Sequence, residues 1–107
     1  MDKPLEGIRV IAIEQFGAGP YGSMYLAELG ADVIKVENRA TGGDPSRQSG
    51  AVTLADDDSA YFQAFNLSKR SVTVNLKSTE GRAIFEDLVR TADVVWNNLR
   101  GSQPAKL

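Results

Sequence analysis

VIAIEQFGAGPYGSMYLAELGADVIKVE, residues 10–37, decides the fold of this chain. The stretch opens with an apolar run, turns at glycine and proline, continues as a predicted amphipathic helix that stops at Gly30, and ends in a second apolar run closed by Glu37. Short apolar runs rich in β-branched residues predict strands buried on both faces, as in parallel sheets. We therefore predict a β-α-β unit whose turn lies at the carboxyl end of the first strand, the edge where open α/β sheets bind ligands.

The rest of the chain adds elements of the same kinds. We predict a polar loop over residues 38–60, a helical turn over 61–67, a strand over 71–76, a helix capped by Ser78 and a short strand over 93–96. The predicted buried stripe of that helix comprises Ile84, Phe85, Leu88, Val89 and Ala92. The fold class is therefore α/β, a Rossmann-like parallel sheet with flanking helices. Two helices cannot cover both faces of such a sheet, so residues 1–107 are expected to be an incomplete domain without an internal boundary.

Composition narrows the classes of function. The 107 residues carry a formal net charge of −2, which argues against nonspecific nucleic-acid binding. The cations Lys69 and Arg70 are expected to form a solvated turn before a strand. Cysteine and histidine are absent from the sequence, which excludes disulfides, thiolate chemistry and imidazole catalysis within it. The run of aspartates at residues 56–58 is interpreted as a solvated loop tip, so no metal site is predicted. With no apolar run near the ~20 residues of a membrane span and no signal-peptide core, the sequence favours a cytoplasmic protein.

Residues 17–22, GAGPYG, form a literal G-x-G-x-x-G between a predicted strand and a predicted helix. Glu37 closes the next strand, as in dinucleotide-binding units, where glycines admit a pyrophosphate and the acid binds a ribose hydroxyl. Residues 14–16 lengthen the turn, however, and Pro20 removes one donor from the helix N-terminus. On these local features, half of a nicotinamide-dependent oxidoreductase and a ligand-free packing role for the glycines remain open.

Seven short segments run in order along the chain: PLxGIxV (4–10), AGP (18–20), LGADVIKVE (29–37), GGDPxR (42–47), YFxxxNxxKRSV (61–72), LKxxEGR (76–82) and ADVV (92–95). Together they resemble the N-terminal part of family III CoA-transferases, the relatives of formyl-CoA transferase and carnitine CoA-transferase. The resemblance covers residues 4–101 and is specific for the family but not for a substrate.

The resemblance implies a Rossmann-like large domain, a smaller second domain and an interlocked homodimer. It implies an enzyme that moves CoA between carboxylic acids through an aspartyl nucleophile, although some relatives are 2-methylacyl-CoA racemases. That aspartate is expected beyond Leu107, so this chain is expected to hold no catalytic residue and to be inactive alone. Residues 1–107 would then be the N-terminal part of the CoA-binding large domain, with acyl-CoA and a carboxylic acid as substrates and no metal.

The resemblance also assigns candidate contacts to the pantetheine half of CoA. Phe16, Gly17 and Ala18 match the turn that lines the thioester end, although the formyl-CoA transferase branch has a glutamine where Gly17 stands. Asn98 matches an asparagine near the pantetheine. Leu99 replaces an aromatic residue at the next position.

A second set of candidates matches the nucleotide half. Val74 and Lys77 match a pair near the adenine and the phosphates. The adenine-side arginine of the formyl-CoA transferase branch is Asn38 here, and Arg39 stands one residue later. Lys106 lies where an arginine that contacts a phosphate is expected.

Overall fold

A computed structural model describes residues 2–106, with side chains through residue 104. Its strands are β1 (Arg9–Ile13), β2 (Asp32–Glu37), β3 (Thr53–Ala55), β4 (Asp58–Ser59), β5 (Arg70–Thr73) and β6 (Val94–Asn97). Its α-helices are α1 (Ala18–Glu28), α2 (Ala60–Phe65), α3 (Thr79–Arg90) and α4 (Gln103–Lys106), and two 3-10 helices span Arg39–Thr41 and Pro45–Gln48. None of the helices described is long and apolar enough to cross a membrane.

The main sheet has the order β5-β2-β1-β6, and all of its strand pairs are parallel. Ile11 of β1 lies opposite Ile34 of β2 on one side and Val95 of β6 on the other. The chain moves outward from β1 through β2 to β5 and then returns to the far side of β1. The strand order therefore reverses between β1 and β6, which is the switch point where open sheets form a ligand crevice. The predicted α/β class is confirmed.

Both faces of β1 are buried, which explains the continuous apolar run in its sequence. On one face, Val10 and Val33 pack with Ala27 and Ala31 at the end of α1. On the opposite face, a second cluster of Ile11, Ile34, Val36 and Val74 packs against the partly buried Phe85, Leu88 and Ala92 at α3. The sheet is thus held between one helix on each face.

Helix α1 lies against the sheet through small residues: its buried positions are Gly19, Pro20, Ser23 and Ala27. Tyr21 and Tyr25 are about half exposed, and their hydroxyls share a hydrogen bond of 2.7 Å. The helix begins at Ala18, so Pro20 is its third residue. Its missing N–H still costs no helical bond, because the first four N–H groups of a helix have no partner within the helix.

Residues 38–60 are more ordered than the predicted polar loop. The side chains of Asn38 and Asp44 each cap a 3-10 helix, accepting hydrogen bonds from the N–H groups of Ala40 and Ser46. Strands β3 and β4 then form an antiparallel hairpin. Ser59 ends the hairpin and caps α2, because its hydroxyl accepts a hydrogen bond of 3.0 Å from the Phe62 N–H. Short side-chain caps therefore organise a segment whose composition indicated only a loop.

Helix α3 begins as predicted, since the Ser78 hydroxyl accepts a hydrogen bond of 2.9 Å from the Gly81 N–H. The predicted buried stripe is partly wrong: Ile84 is 52% exposed. Val95, which the register with Ile11 places on the face covered by α3, is also 47% exposed. The contacts of α3 therefore centre on β1, β2 and the end of β5, and leave β6 uncovered on that face.

Gly81 fixes how closely α3 approaches the loop after β5. A Cβ at this position would lie 1.9 Å from the Asn75 carbonyl oxygen. In an open helix, Gly→Ala raises stability by roughly 1 kcal/mol. We expect Gly81→Ala instead to lower the free energy of unfolding by about 1–3 kcal/mol, the usual cost of overpacking. Urea denaturation of the chain measures the change, with the exposed helix position Glu86→Ala as control. A stabilised Gly81→Ala variant would contradict the close contact.

Candidate functional site

A cleft of about 610 Å³ opens at the carboxyl ends of β1, β2 and β5. It therefore lies at the edge of the sheet that the β-α-β pattern predicted. Ile13, Val36, Val74 and Leu76 contribute apolar lining. Lys77, Arg82 and the first residues of α3 contribute polar lining. The arrangement fits an elongated ligand with both apolar and anionic parts.

Three of the predicted contact residues, Val74, Lys77 and Leu99, line this cleft. Asn38 lines it as well, whereas Arg39 is exposed on the adjacent 3-10 helix and is not part of the lining. The side chain of Lys106 lies outside the described residues, so its assignment stays a prediction.

The predicted turn of Phe16, Gly17 and Ala18 lies next to the cleft rather than in its lining, following the lining residue Gln15. Asn98 joins this turn to the end of β6. Its Oδ1 accepts a hydrogen bond of 3.1 Å from the Gln15 N–H, and its Nδ2 donates one of 3.0 Å to the Gln15 carbonyl. The Asn98 side chain is thus engaged with backbone in the structure, and its role at a ligand stays a prediction.

Two glycines of the G-x-G-x-x-G pattern contact protein. A Cβ at Gly19 would lie 2.7 Å from Cγ of Asn98, and a Cβ at Gly22 would lie 2.6 Å from the ring of Trp96. The indole N–H of Trp96 also donates a hydrogen bond of 3.0 Å to the Gly19 carbonyl. Close packing between α1 and β6 therefore explains these two glycines without a pyrophosphate. A bulky residue at Gly19 would strain the fold itself.

The Glu37 carboxylate, the second part of the dinucleotide pattern, is fully engaged inside the protein. It accepts hydrogen bonds from Arg47 Nε at 2.9 Å and Nη2 at 2.7 Å, from the Asp44 N–H at 2.8 Å and from the Ser71 hydroxyl. Burial raises the pKa of Glu37, but these donors outweigh burial and lower the pKa to about 2. A ribose hydroxyl would have to displace them, so the structure does not support the dinucleotide hypothesis at this residue.

Behind the cleft, Glu14 and two lysines form a buried ionic network. Glu14 Oε2 lies 3.2 Å from Lys35 Nζ and 2.7 Å from Lys69 Nζ, and Glu14 Oε1 accepts a hydrogen bond of 2.6 Å from Ser23. The Lys35 ammonium lies 2.8 Å from Asp44 Oδ2. The side chains of Glu14, Lys35 and Asp44 are at most 1% exposed.

The prediction of a solvated turn at Lys69 is wrong. Its side chain is 2% exposed and donates to the carbonyls of Pro20 and Phe65 as well as to Glu14. Burial lowers the pKa of Lys69 to about 8, although Glu14 favours the charged form. Arg70, in contrast, is exposed and pairs with Asp32. The adjacent cations Lys69 and Arg70 thus differ in environment, since Lys69 is buried and Arg70 lies on the surface.

Sequence reasoning missed two features of the cleft, the side chain of Arg82 and the N-terminus of α3. Ser78 and Thr79, at the start of this helix, line the cleft together with Arg82. Helix N-termini attract anions through unpaired N–H groups and the helix dipole. The Ser78 cap located this helix start in the sequence, and Arg82 lies one helical turn further along. The lining carboxylates Glu14, Glu37 and Asp44 are all paired with cations, so Lys77 and Arg82 remain to attract an anion.

Fold and cleft together define a Rossmann-like α/β segment with a cleft at the carboxyl edge of its sheet, and comparison with known proteins identifies its family. The model of CoA-transferase family III matches residues 5–107. The chain is 48% identical over 108 aligned residues to succinate–glutarate CoA-transferase of Agrobacterium fabrum, covering 96% of the chain and 27% of that relative. It is 44% identical to formyl-CoA:oxalate CoA-transferase of Streptomyces avermitilis, with 92% and 23% covered.

A solved structure agrees with the family match. The chain superposes on a CAIB/BAIF family protein from Brucella suis with a TM-score of 0.87 and 38% sequence identity, covering 99% of the chain and 28% of that structure. The chain therefore belongs to CoA-transferase family III. It spans about a quarter of the length of these relatives, which confirms the prediction of an incomplete domain.

The pairing of Glu37 makes a pH-dependent contribution to stability. Because its folded pKa is about 2 rather than 4.5, that contribution is complete above pH 4.5 and is lost as the pH falls towards 2. We expect Glu37→Gln to lower the free energy of unfolding at pH 7 by roughly 3 kcal/mol, and to make stability fall less steeply between these pH values. Urea denaturation at several pH values measures both effects, with the exposed Glu86→Gln as control. If the free energy of unfolding falls equally steeply below pH 4.5 in Glu37→Gln and in the unmodified chain, the assignment is refuted.

Proposed function

We propose that this chain is the N-terminal CoA-binding segment of an enzyme that transfers CoA between carboxylic acids. The observation that carries the proposal is the cleft at the carboxyl edge of the sheet, where Lys77, Arg82 and the N-terminus of α3 adjoin an apolar lining. CoA combines an anionic nucleotide with a long, less polar pantetheine arm. Membership of the family and the CoA-transferase activities of its relatives support CoA as the ligand.

In this proposal the nucleotide and the thioester occupy opposite ends of the site. Lys77 and Arg82 face the phosphates, and Val74 lies near the adenine. Leu99 lies along the pantetheine arm, which leads towards the turn of residues 16–18 and Asn98. Arg39 remains a candidate adenine contact on the 3-10 helix beside the cleft, and Lys106 remains a candidate phosphate contact.

Catalysis is assigned to an aspartate outside residues 1–107. Its carboxylate oxygen attacks the thioester carbonyl, and CoA leaves as the thiolate. The acyl group then remains on the aspartate as an acyl-aspartyl anhydride. The carboxylates on this edge support that assignment, since Glu14 is held by Ser23, Lys35 and Lys69, and is not free to attack. The proposal includes a second, smaller domain, an interlocked homodimer and a cytoplasmic location.

The two alternatives receive less support. The relatives from Agrobacterium fabrum and Streptomyces avermitilis are CoA-transferases by name, which favours transfer over 2-methylacyl-CoA racemisation. The internal pairing of Glu37, and the packing of Gly19 and Gly22 against Asn98 and Trp96, disfavour a nicotinamide dinucleotide. Thermal shift with CoA and with NAD separates the ligand classes. Stabilisation by NAD but not by CoA would overturn the proposal.

The cations of the cleft should act on the nucleotide half of the ligand. Charged hydrogen bonds contribute roughly 1.5–3 kcal/mol, so Lys77→Ala and Arg82→Ala should each weaken CoA binding about tenfold or more. Neither change should weaken the binding of a pantetheine thioester, because that ligand lacks the nucleotide. Isothermal titration calorimetry measures both ligands, and Arg90→Ala, at the far end of α3, is the matched control. Equal losses for CoA and for the pantetheine thioester would remove these residues from the phosphate site.

The 107-residue chain alone should not transfer CoA. Transfer needs a free carboxylate near the thioester and donors for the developing oxyanion, and the nearby Glu14 is buried in ion pairs. The pure chain is incubated with an acyl-CoA and several carboxylic acids, and new acyl-CoA is sought by mass spectrometry. Transfer above the protein-free rate that disappears in Glu14→Gln would instead place the nucleophile beside the βα turn.

A further inference from the structure

Asp44 is a buried carboxylate on the cleft edge whose oxygens are both used within the protein. Its Oδ1 accepts hydrogen bonds from the Phe16 N–H at 3.1 Å and from the Ser46 N–H at 2.9 Å. Its Oδ2 lies 2.8 Å from Lys35 Nζ. Asp44 therefore connects a cap in the loop after β2 to the turn after β1.

Phe16, the residue that receives this contact, has an unusual backbone conformation. Its φ of +63° lies in the left-handed region, which bulky residues rarely adopt. The Phe16 side chain is 46% exposed, so dense packing around the ring does not account for the conformation. Such a conformation costs free energy and persists only where the surroundings fix it. The hydrogen bond to Asp44 is a specific contact that fixes the Phe16 amide.

Asp44 is itself held from two directions. Its N–H donates a hydrogen bond of 2.8 Å to Glu37 Oε1, and Lys35 is anchored on Glu14. Gly43 allows the loop after β2 to approach the Glu37 carboxylate. Its φ is +91°, and a Cβ there would lie 2.7 Å from Glu37 Oε1. A continuous set of buried polar contacts thus runs from β2 to the Phe16 amide.

We propose that Asp44 is a positioning residue that holds Phe16 in the left-handed conformation and thereby sets how the turn of residues 16–18 presents its backbone to an acyl thioester. The inference rests on the proposed function, because that function assigns this turn to the thioester end of CoA. Asp44 acts through the conformation of Phe16 and needs no contact with the ligand. Phosphate contacts at Lys77 and Arg82 are independent of it.

Two pairs of variants test the inference by calorimetry, with acetyl-CoA as the complete ligand and adenosine 3′,5′-diphosphate as the nucleotide half alone. Asp44→Ala removes the acceptor, and Asp44→Asn keeps a carbonyl acceptor of the same size. Phe16→Val places a β-branched residue in the left-handed region, whereas Phe16→Asn places there a residue that tolerates it. Both Phe16 changes remove the half-exposed ring, so the difference between them reports the backbone conformation.

Asp44→Ala is expected to weaken acetyl-CoA binding about tenfold, the effect of one lost hydrogen bond, with less than a twofold change for the diphosphate. Asp44→Asn should restore part of the affinity, because its amide oxygen can accept from the Phe16 N–H, whereas the contact of Oδ2 with Lys35 is lost. Phe16→Val should bind acetyl-CoA several-fold more weakly than Phe16→Asn. Because both Phe16 variants leave the buried network unchanged, this comparison tests the inference even if Asp44→Ala fails to fold. Amide hydrogen exchange should show Phe16 protected in the unmodified chain and in Asp44→Asn.

The outcomes separate the inference from the proposed function. An unmodified chain that binds neither acetyl-CoA nor the diphosphate overturns the proposed function, and the inference with it. Binding by the unmodified chain together with equal affinities of Phe16→Val and Phe16→Asn overturns the inference alone. Equal losses of both ligands in Asp44→Ala do the same, because they indicate a general loss of structure.

Discussion

The structure of the sheet edge where the cleft opens depends on one constraint, the ionic network of Glu14, Lys35, Lys69 and Asp44. Removing such charges from water is costly, and mutual attraction repays the cost only when geometry and further hydrogen bonds are good. Here Glu14 contacts both ammonium groups, and Lys69 has additional acceptors in the Pro20 and Phe65 carbonyls. Loss of Glu14 would leave Lys69 without a carboxylate, and loss of Lys35 would leave Asp44 without a cation. Leaving a buried charge unpaired in this way typically costs about 3–5 kcal/mol. The network therefore fixes β1, β2, α1 and the segment after α2 relative to one another.

This arrangement divides the charged residues of the edge into two groups with different roles. The carboxylates Glu14, Glu37 and Asp44 are paired with cations inside the protein and hold backbone segments in place. The cations Lys77 and Arg82 are exposed at the cleft. Internal pairing of the acids removes the repulsion that free carboxylates would exert on an anionic ligand. The surface of an acidic chain can in this way present a locally cationic site.

The sequence predicted the parts of the structure that depend on local pattern. The β-branched runs located β1 and β2, and the cap at Ser78 located the start of α3, because strand burial and capping are determined within a few residues. The burial of Lys69 and the exposure of Ile84 were not predictable in this way. Lys69 is buried because its ammonium donates a hydrogen bond to Glu14, which is distant in sequence. Ile84 is exposed because the described elements leave part of that sheet face uncovered. For the site, the edge of the sheet was predicted, and Val74, Lys77 and Leu99 line the cleft there, while their contacts with a ligand stay a prediction. The internal engagement of Glu37 depends on Arg47 and was not predicted.

The same division explains why the sequence specifies the family more sharply than the substrate. The segments LGADVIKVE, GGDPxR and YFxxxNxxKRSV, which carry much of the resemblance, contain Lys35, Glu37, Asp44, Arg47 and Lys69. In the structure Lys35 pairs with Asp44 and Arg47 pairs with Glu37, while Lys35 and Lys69 both donate to Glu14. They therefore define the geometry of the cleft edge. Under the proposed function, the acyl group of the ligand would be recognised by other residues that contact it there. A substrate could change without any change in this network, so a match in these segments identifies the framework and leaves the acyl group open.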